Sequence, residues 1–120
     1  MGRNLVLAIC LCALSGCALR TATRVSIGCS MVAHGADVAT SMYASGKGIA
    51  SELNPILAPS FDNPIAFGVT KMGIATAANY ALLKLEPNHP QWALALGLGQ
   101  CVGISAIAAH NAHVIRKATP

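Results

Sequence analysis

The sequence predicts an all-α protein: a small bundle of three transmembrane helices after a cleaved signal peptide. Apolar residues make up 54% of the chain and charged residues 10%, with a mean hydropathy of +0.57, whereas about 25% charged residues is usual in a soluble domain. Apolar segments at about 25–44, 65–85 and 91–112 are long enough, as helices, to cross ~30 Å of hydrocarbon. We predict helices because a lone strand leaves its backbone unpaired in lipid.

The N-terminus is typical of a cleavable signal sequence. Arg3 supplies the positive charge, and residues 5–14 form an unbroken apolar run that is too short to span a bilayer. Small residues then lead into Cys17. We therefore expect residues 1–16 to be removed and residues 17–120 to form the membrane domain.

The end of this segment, Leu14-Ser15-Gly16-Cys17, resembles the lipobox of bacterial lipoproteins. The resemblance implies cleavage before Cys17, with diacylglycerol on its thiol and a further acyl chain on its new amine. This covalent lipid is the only cofactor that we expect. The alternative is an ordinary signal sequence, or an uncleaved anchor, that happens to contain a cysteine.

Turn-forming residues separate the three apolar segments. The first ends in a Ser-Gly-Lys-Gly turn at 45–48. Asn63 is a plausible N-cap of the second helix, with Pro64 at its first position, and Asn-His-Pro at 88–90 introduces the third.

The first segment is the most polar of the three because it contains His34 and Asp37. The second contains Lys71 and Asn79, and the third has Gln100 as its only strongly polar interior residue. A central Asp or Lys costs ~2.5–3.5 kcal/mol on insertion scales. The first segment therefore either crosses the membrane or lies on its surface.

The anchored N-terminus determines the expected topology. With Cys17 outside and three crossings, the C-terminus is inside, and Arg116 and Lys117 follow the positive-inside rule. We expect residence in the bacterial inner membrane, with the lipid anchor at the periplasmic face. The alternative is the outer membrane, because Ala18 stands where an inner-membrane retention signal typically places Asp.

Membrane lipids are the expected partners, and nucleic acid is not. The net charge is +4, but the cations are scattered and aromatic residues make up only 4% of the chain, whereas nucleic-acid binding needs clustered Lys and Arg, often with stacking aromatics. Anionic headgroups suit the scattered cations at Arg20, Arg24, Arg116 and Lys117.

Close helix packing is expected from pairs of small residues four apart, which allow helix backbones to approach in lipid. The pairs are Gly35 and Ala39, Gly73 and Ala77, and Gly99 and Gly103. They favour a compact bundle, with self-association or contact with other membrane proteins. The alternative is that a chain rich in Ala and Gly contains such spacings by chance.

The cysteines do not predict a disulfide. Cys10 and Cys12 lie in the signal peptide, and Cys17 is the expected lipid site. From the outer ends of their segments, Cys29 lies ~6 Å deep and Cys101 ~15 Å deep. A disulfide requires Cα atoms within ~7 Å, so we expect both thiols to remain free.

Polar residues inside the first two segments form a predicted intramembrane cluster of His34, Asp37, Thr40 and Lys71. Asp37 and Lys71 lie ~12 Å and ~10 Å from the cytoplasmic side on antiparallel helices, so we expect them to pair. Thr40 shares a helix face with Asp37 and offers a further hydrogen bond. Glu52 is the rival partner, since Lys71 has a long enough side chain to reach the loop.

The order Asp-x-x-Thr, Glu-Leu-Asn-Pro and an intramembrane Lys resembles a family of short prokaryotic membrane proteins of unknown function. The residues that carry the resemblance are Asp37, Thr40, Glu52, Asn54, Pro55 and Lys71. The family implies about three hydrophobic helices over roughly 26–111, with no established activity, substrate or cofactor. The lipobox and the polar first helix depart from its plainest pattern.

No catalytic or metal motif stands out, so we expect a protein that is not an enzyme. The potential metal ligands, which include Glu52, His110 and His113, form no H-x-x-x-H or H-E-x-x-H pattern. The two histidines lie at a helix end, where a surface or headgroup-level position explains them. Neither the G-x-S-x-G of hydrolases nor a phosphate-binding glycine loop is present.

Two hypotheses of function follow from these observations. One is a structural or accessory lipoprotein of the bacterial envelope, in which the buried charges merely orient two helices. The other is a proton or ion relay subunit of an oligomeric, transporter-like assembly that uses Asp37 and Lys71, because ionisable residues inside a membrane are functional candidates.

Overall fold

The computed structural model describes residues 2–49 and 57–119. It contains three long helices, α1 (Gly2–Gly46), α2 (Pro64–Leu85) and α3 (Pro90–Ala118), and one short 3-10 helix at Ala58–Ser60. The described part of the chain has no strand, so the predicted all-α class is confirmed. The predicted signal peptide and the first predicted helix form one continuous helix of 45 residues.

The helix boundaries follow the turn signals of the sequence. The side chain of Asn63 caps α2 by accepting a hydrogen bond from Ala66 N at 3.1 Å. Pro64 and Pro90 occupy the first positions of α2 and α3, where a missing N–H costs nothing. After α1, Gly48 has φ +65°, a conformation that glycine adopts without strain.

Helix α1 packs against both other helices. Its contacts with α2 run in opposite directions along the two chains, from Ser30 with Asn79 to Asp37 with Lys71. Its contacts with α3 run in the same direction. The result is an up-down-up bundle in which α1 and α3 are parallel and adjacent.

The closest packing lies between α1 and α3. The Cα atoms of Cys29 and Cys101 are 5.6 Å apart, and a Cβ added at Gly97 would collide with Ser26 Oγ. Ala93 in the same interface has no exposed surface. Small side chains therefore bring these two helix backbones together.

The glycines of the predicted small-residue pairs do not contribute to this packing, which corrects the prediction. Cβ atoms added at Gly35, Gly73, Gly99 or Gly103 would meet nothing within 4 Å. On α3, Gly99 and Gly103 face outward because the helix packs against α1 through the face that carries Gly97. Periodicity alone does not distinguish the two faces in a segment rich in Ala and Gly.

The expected free thiols are likewise wrong, because Cys29 and Cys101 form a disulfide. The depth argument started the helices at Val25 and Gln91. The structure instead pairs residues 72 apart, because α1 continues past Val25 toward its N-terminus. This register shift of about 9 Å removes the expected difference in depth.

The surface of the bundle is apolar, but the helices differ as candidate membrane spans. Among the described helices, α3 alone is both long and apolar enough to cross a membrane, with a mean hydropathy of 1.6 in its most apolar stretch. Large apolar side chains such as Val32, Val69 and Val102 are at least two-thirds exposed. The three-helix architecture is thus present, and one of the three helices is a candidate span.

Candidate functional site: a polar network inside the bundle

The inner face of α1 carries a row of polar residues between Thr23 and Asp37. Its buried polar residues follow one another at intervals of three or four, which places them on one side of the helix. They are Thr23, Ser26, Ser30, His34 and Asp37. Among the described residues, the bundle buries seven polar or charged side chains beside ten apolar ones, while many large apolar side chains are exposed. This differs from the usual arrangement of a soluble protein, which leaves most polar side chains at the surface.

Asp37 and Lys71 form a buried ion pair at the centre of this face. Lys71 Nζ lies 2.6 Å from Asp37 Oδ2, and the two side chains are 15% and 2% exposed. The predicted contact is therefore present. It forms because α1 and α2 are antiparallel and bring the two residues to the same level.

The second oxygen of the carboxylate is bound by α3. Asn111 Nδ2 donates a hydrogen bond to Asp37 Oδ1 at 2.9 Å, and Ser41 Oγ lies 3.5 Å from the same oxygen. Groups from all three helices thus meet at one carboxylate. Both oxygens have partners, as a buried carboxylate requires.

Asn111 and Ser41 were absent from the predicted cluster. Ser41 carries a sequence signal, because it stands four residues after Asp37 on the same helix face. Asn111 lies 74 residues from Asp37, so the register of α3 against α1 must be known before the two can be connected.

Thr40 does not join the network, contrary to the prediction. Its hydroxyl donates to the backbone oxygens of Ala36 at 2.9 Å and Asp37 at 3.1 Å. Hydroxyl side chains inside helices commonly bond to the preceding turn in this way. Ser41 contacts the carboxylate instead.

An aromatic ring supports the ammonium group of Lys71. Lys71 Nζ lies 5.1 Å from the centroid of the Phe67 ring, within the range of a cation–π contact. Phe67 is 1% exposed and packs edge-on against Phe61, with ring centroids 5.2 Å apart. The ammonium is thus held by a carboxylate, a ring and Ser41 Oγ at 3.5 Å.

Two further polar contacts lie toward the N-terminal part of the bundle. His34 Nε2 is 3.0 Å from Gln100 Nε2, and Asn79 Nδ2 donates to Ser30 Oγ at 3.5 Å. His34 Nδ1 and Asn79 Oδ1 are buried and have no hydrogen-bond partner in the described part of the chain. His34 was predicted to belong to the Asp37 cluster, and the structure places it beside Gln100.

A second buried acid, Glu86, lies at the end of the bundle where α2 meets the α2–α3 turn. Glu86 follows α2 and is 5% exposed, with Oε1 at 3.9 Å from Nε of the exposed Arg24. Sequence reasoning missed this pair because Glu86 stands in an apparent loop next to Pro87. The contact is long and half exposed, so it contributes little stability.

The remaining predicted residues are separate from the network. The thiol of Cys17 is exposed on α1, and His110 and His113 are exposed on α3. Within residues 16–49 and 57–119, no three His, Cys, Asp or Glu side chains are grouped to hold a metal ion.

The predicted loop motif of Glu52, Asn54 and Pro55 lies outside the described residues. Its geometry, and the rival pairing of Glu52 with Lys71, therefore remain predictions.

No protein-family model, curated protein or solved structure matches the chain. The geometry of the polar network is accordingly the basis on which we assign a function.

Proposed function

We propose that the protein is a small, non-catalytic membrane lipoprotein that serves as a structural or accessory component of the bacterial envelope. The carrying observation is the buried carboxylate of Asp37, which contacts Lys71 of α2 and Asn111 of α3. A buried ion pair with all its oxygens satisfied orients helices without needing to react. The resemblance to the family of short three-helix membrane proteins supports the same architecture.

Membrane residence is supported by the distribution of side chains. The outer surface carries exposed apolar residues, and α3 has the length and hydropathy of a membrane span. Buried polar side chains beneath an apolar surface suit lipid, in which polar groups must find partners within the protein. We infer that all three helices cross the inner membrane.

The lipid anchor belongs to the same proposal. Cys17 is exposed on α1, and Thr23 is the first fully buried residue of the described bundle. A short stretch therefore separates the acylated cysteine from the packed helices. We infer that the lipid lies in the outer leaflet of the membrane that holds the bundle.

Outward-facing small residues are available for partners. Gly99 and Gly103 lie on the exposed side of α3, beside apolar residues such as Val102. In lipid, small residues at this spacing favour close helix contact. We infer self-association or docking onto other membrane proteins.

The proposal is tested by extraction and by purification in mild detergent. We expect the protein to stay in the membrane pellet in alkaline carbonate, which strips peripheral proteins. We also expect it to purify either as an oligomer or with a membrane partner. Release by carbonate would contradict membrane residence.

A proton or ion relay is the second candidate, because polar groups follow one another along the bundle interior. From Ser30 through His34 and Asp37 to Ser41, α1 presents a polar side chain every three or four residues. Because the amide of Gln100 donates to His34 Nε2, His34 Nδ1 carries the proton of the neutral ring. Nδ1 has no hydrogen-bond partner in the described structure, so a relay would use it as a proton donor. Such a relay requires several copies, since one short chain is small for a transporter.

Proton flux into liposomes separates the two candidates. A relay predicts flux that Asp37→Asn abolishes and that Asp62→Asn leaves unchanged, because Asp62 is exposed in the α1–α2 loop. An accessory protein predicts no flux above that of empty liposomes. Equal flux from wild type and Asp37→Asn would contradict the relay.

A further inference from the structure

We propose that Cys29 and Cys101 are oxidised in an extracytoplasmic compartment, and that the α2–α3 turn faces that compartment. The inference rests on the proposed membrane residence. The structure joins the two sulfurs across 72 residues of chain, with Cα atoms 5.6 Å apart. This spacing lies inside the range of native disulfides.

The compartment follows from redox chemistry. Disulfides persist in the oxidising environments outside the cytoplasm, whereas cytoplasmic thiols are kept reduced. A stable bond between Cys29 and Cys101 therefore requires that both cysteines meet the extracytoplasmic environment during assembly.

The position of the disulfide along the bundle indicates which end faces the extracytoplasmic compartment. Cys101 lies 11 residues from Pro90 and 17 residues from Ala118, which correspond to about 16 Å and about 25 Å of helix. Cys29 likewise lies 17 residues from the end of α1 at Gly46. The disulfide is closer to the α2–α3 turn, so this end faces outward and the Asp37–Lys71 pair lies in the opposite half.

Charge alone does not orient the bundle. Among the described residues of the chain expected after removal of residues 1–16, the turn end carries three basic residues and one acid: Arg20, Arg24, Lys84 and Glu86. The opposite end also carries three basic residues and one acid: Lys47, Asp62, Arg116 and Lys117. The positive-inside rule requires one end to carry more Lys and Arg than the other. Because the two ends carry equal numbers, we orient the bundle by the position of the disulfide.

The oxidation needs an electron acceptor, and an extracytoplasmic dithiol–disulfide oxidase is the chemical class that fits. Cys29 is exposed, whereas Cys101 is 8% exposed. The Cys29 thiolate attacks the oxidase disulfide, and the Cys101 thiolate then attacks Cys29 Sγ. The protein loses two electrons and two protons, and the oxidase leaves as a dithiol.

Thiol counting tests the bond. Cells are quenched in acid, denatured and labelled with a polyethylene-glycol maleimide, with or without prior reduction. We expect reduction to add two adducts to the wild type and none to Cys29→Ser, Cys101→Ser or the double variant. No gain in the wild type, or a gain in a single variant, would overturn the pairing. In a host that lacks the extracytoplasmic oxidase, we expect the disulfide not to form. A disulfide that still forms in that host would contradict oxidation by this class of enzyme outside the cytoplasm.

Surface labelling tests the orientation in the double Ser variant. Asn88→Cys places a thiol in the α2–α3 turn, and Lys47→Cys places one at the opposite end, both at exposed positions. With a membrane-impermeant maleimide on intact cells, we expect labelling of Asn88→Cys only. The double Ser parent is the matched control for the remaining cysteines.

The outcomes distinguish this inference from the proposed function. Labelling of Lys47→Cys alone would reverse the orientation while leaving membrane residence intact. Labelling of both positions in intact cells, or of neither, would contradict the crossing on which the orientation rests.

Discussion

A single carboxylate receives side chains from all three helices. Asp37 is 1% exposed, and Lys71 and Asn111 contact its two oxygens. Removing one member of a buried ion pair costs about 3–5 kcal/mol, because the other charge is left without a partner, whereas replacing both is often nearly neutral. At this scale the network is best tested by comparing single and double variants.

We expect Asp37→Leu to lower protein abundance more than Asp37→Leu combined with Lys71→Leu. The single change strands the ammonium of Lys71 in a buried site, and the double change removes both charges. Quantitative immunoblotting of membranes measures the difference. Asp62→Leu is the control, since Asp62 is exposed. Equal abundance of the single and double variants would show that the pair does not stabilise the bundle.

Gly97→Ala tests the contact between α1 and α3 at residue scale. A Cβ there would collide with Ser26 Oγ, which itself donates to Thr23 O at 2.7 Å. Rotating the hydroxyl away loses this hydrogen bond, so we expect destabilisation of about 1 kcal/mol. Thermal unfolding in detergent measures the shift.

The same substitution at Gly28 is the matched control. Gly28 is exposed on α1 and has open space where a Cβ would stand, so Gly28→Ala should be neutral or stabilising because alanine favours helix. Ser26→Ala should rescue Gly97→Ala by removing the colliding oxygen. If Gly97→Ala and Gly28→Ala behave alike, the assigned contact between Gly97 and Ser26 is incorrect.

At the scale of elements, α1 contains both the predicted signal peptide, which we expect to be removed, and the first helix of the membrane domain, which we expect to remain. The helix runs without interruption from Gly2 to Gly46, while the lipobox resemblance predicts a cut before Cys17. Among the described side chains, full burial begins at Thr23. Cleavage before Cys17 would therefore preserve every buried contact of the described bundle.

We expect intact mass spectrometry to find a chain that lacks residues 1–16 and carries added acyl mass on Cys17. Cys17→Ser should leave an unprocessed precursor, because the lipidated cysteine directs cleavage in lipoproteins. Cys29→Ser is the control, and it should be processed as the wild type is. A mature form that begins elsewhere and carries no lipid would contradict the lipobox.

For the whole molecule, the disulfide links the first helix to the last. It closes a loop of 72 residues that contains all of α2. Loss of a native disulfide from a small domain costs about 2–5 kcal/mol. We expect reduced wild type, Cys29→Ser and the Cys29→Ser/Cys101→Ser double variant to unfold at the same lowered temperature in detergent. Unchanged melting on reduction would show that helix packing alone fixes the bundle.

The secondary structure was largely encoded in local sequence. Asn63 and Pro64 mark the start of α2, and the turn at 88–90 marks the start of α3. The predicted third helix ended at 112, whereas α3 continues to Ala118. The last turn of α3 contains Arg116 and Lys117. A prediction based on hydropathy therefore underestimates the length of a helix that continues beyond its apolar stretch.

The part of the candidate site that could be predicted is the pair of residues that lie at the same predicted depth in the membrane on neighbouring helices. Asp37 and Lys71 lie on antiparallel helices joined by one loop, so counting helical rise from each end was sufficient. Thr40 was misassigned because its hydroxyl bonds to the preceding turn of backbone, whereas Ser41, one turn after Asp37, contacts the carboxylate. Asn111 required the register of a helix far along the chain.

The sequence by itself determined the all-α class and the starts of α2 and α3, and it favoured Asp37 over Glu52 as the partner of Lys71, because apolar length, cap residues and helical rise are local properties. Only the tertiary structure decided that Cys29 meets Cys101 and that Gly97, rather than Gly99, lies in the interface. Both depend on the shift and rotation of α3 against α1. In a segment rich in small residues, several faces look alike to a periodic pattern, and only the packed side chains of both helices select one.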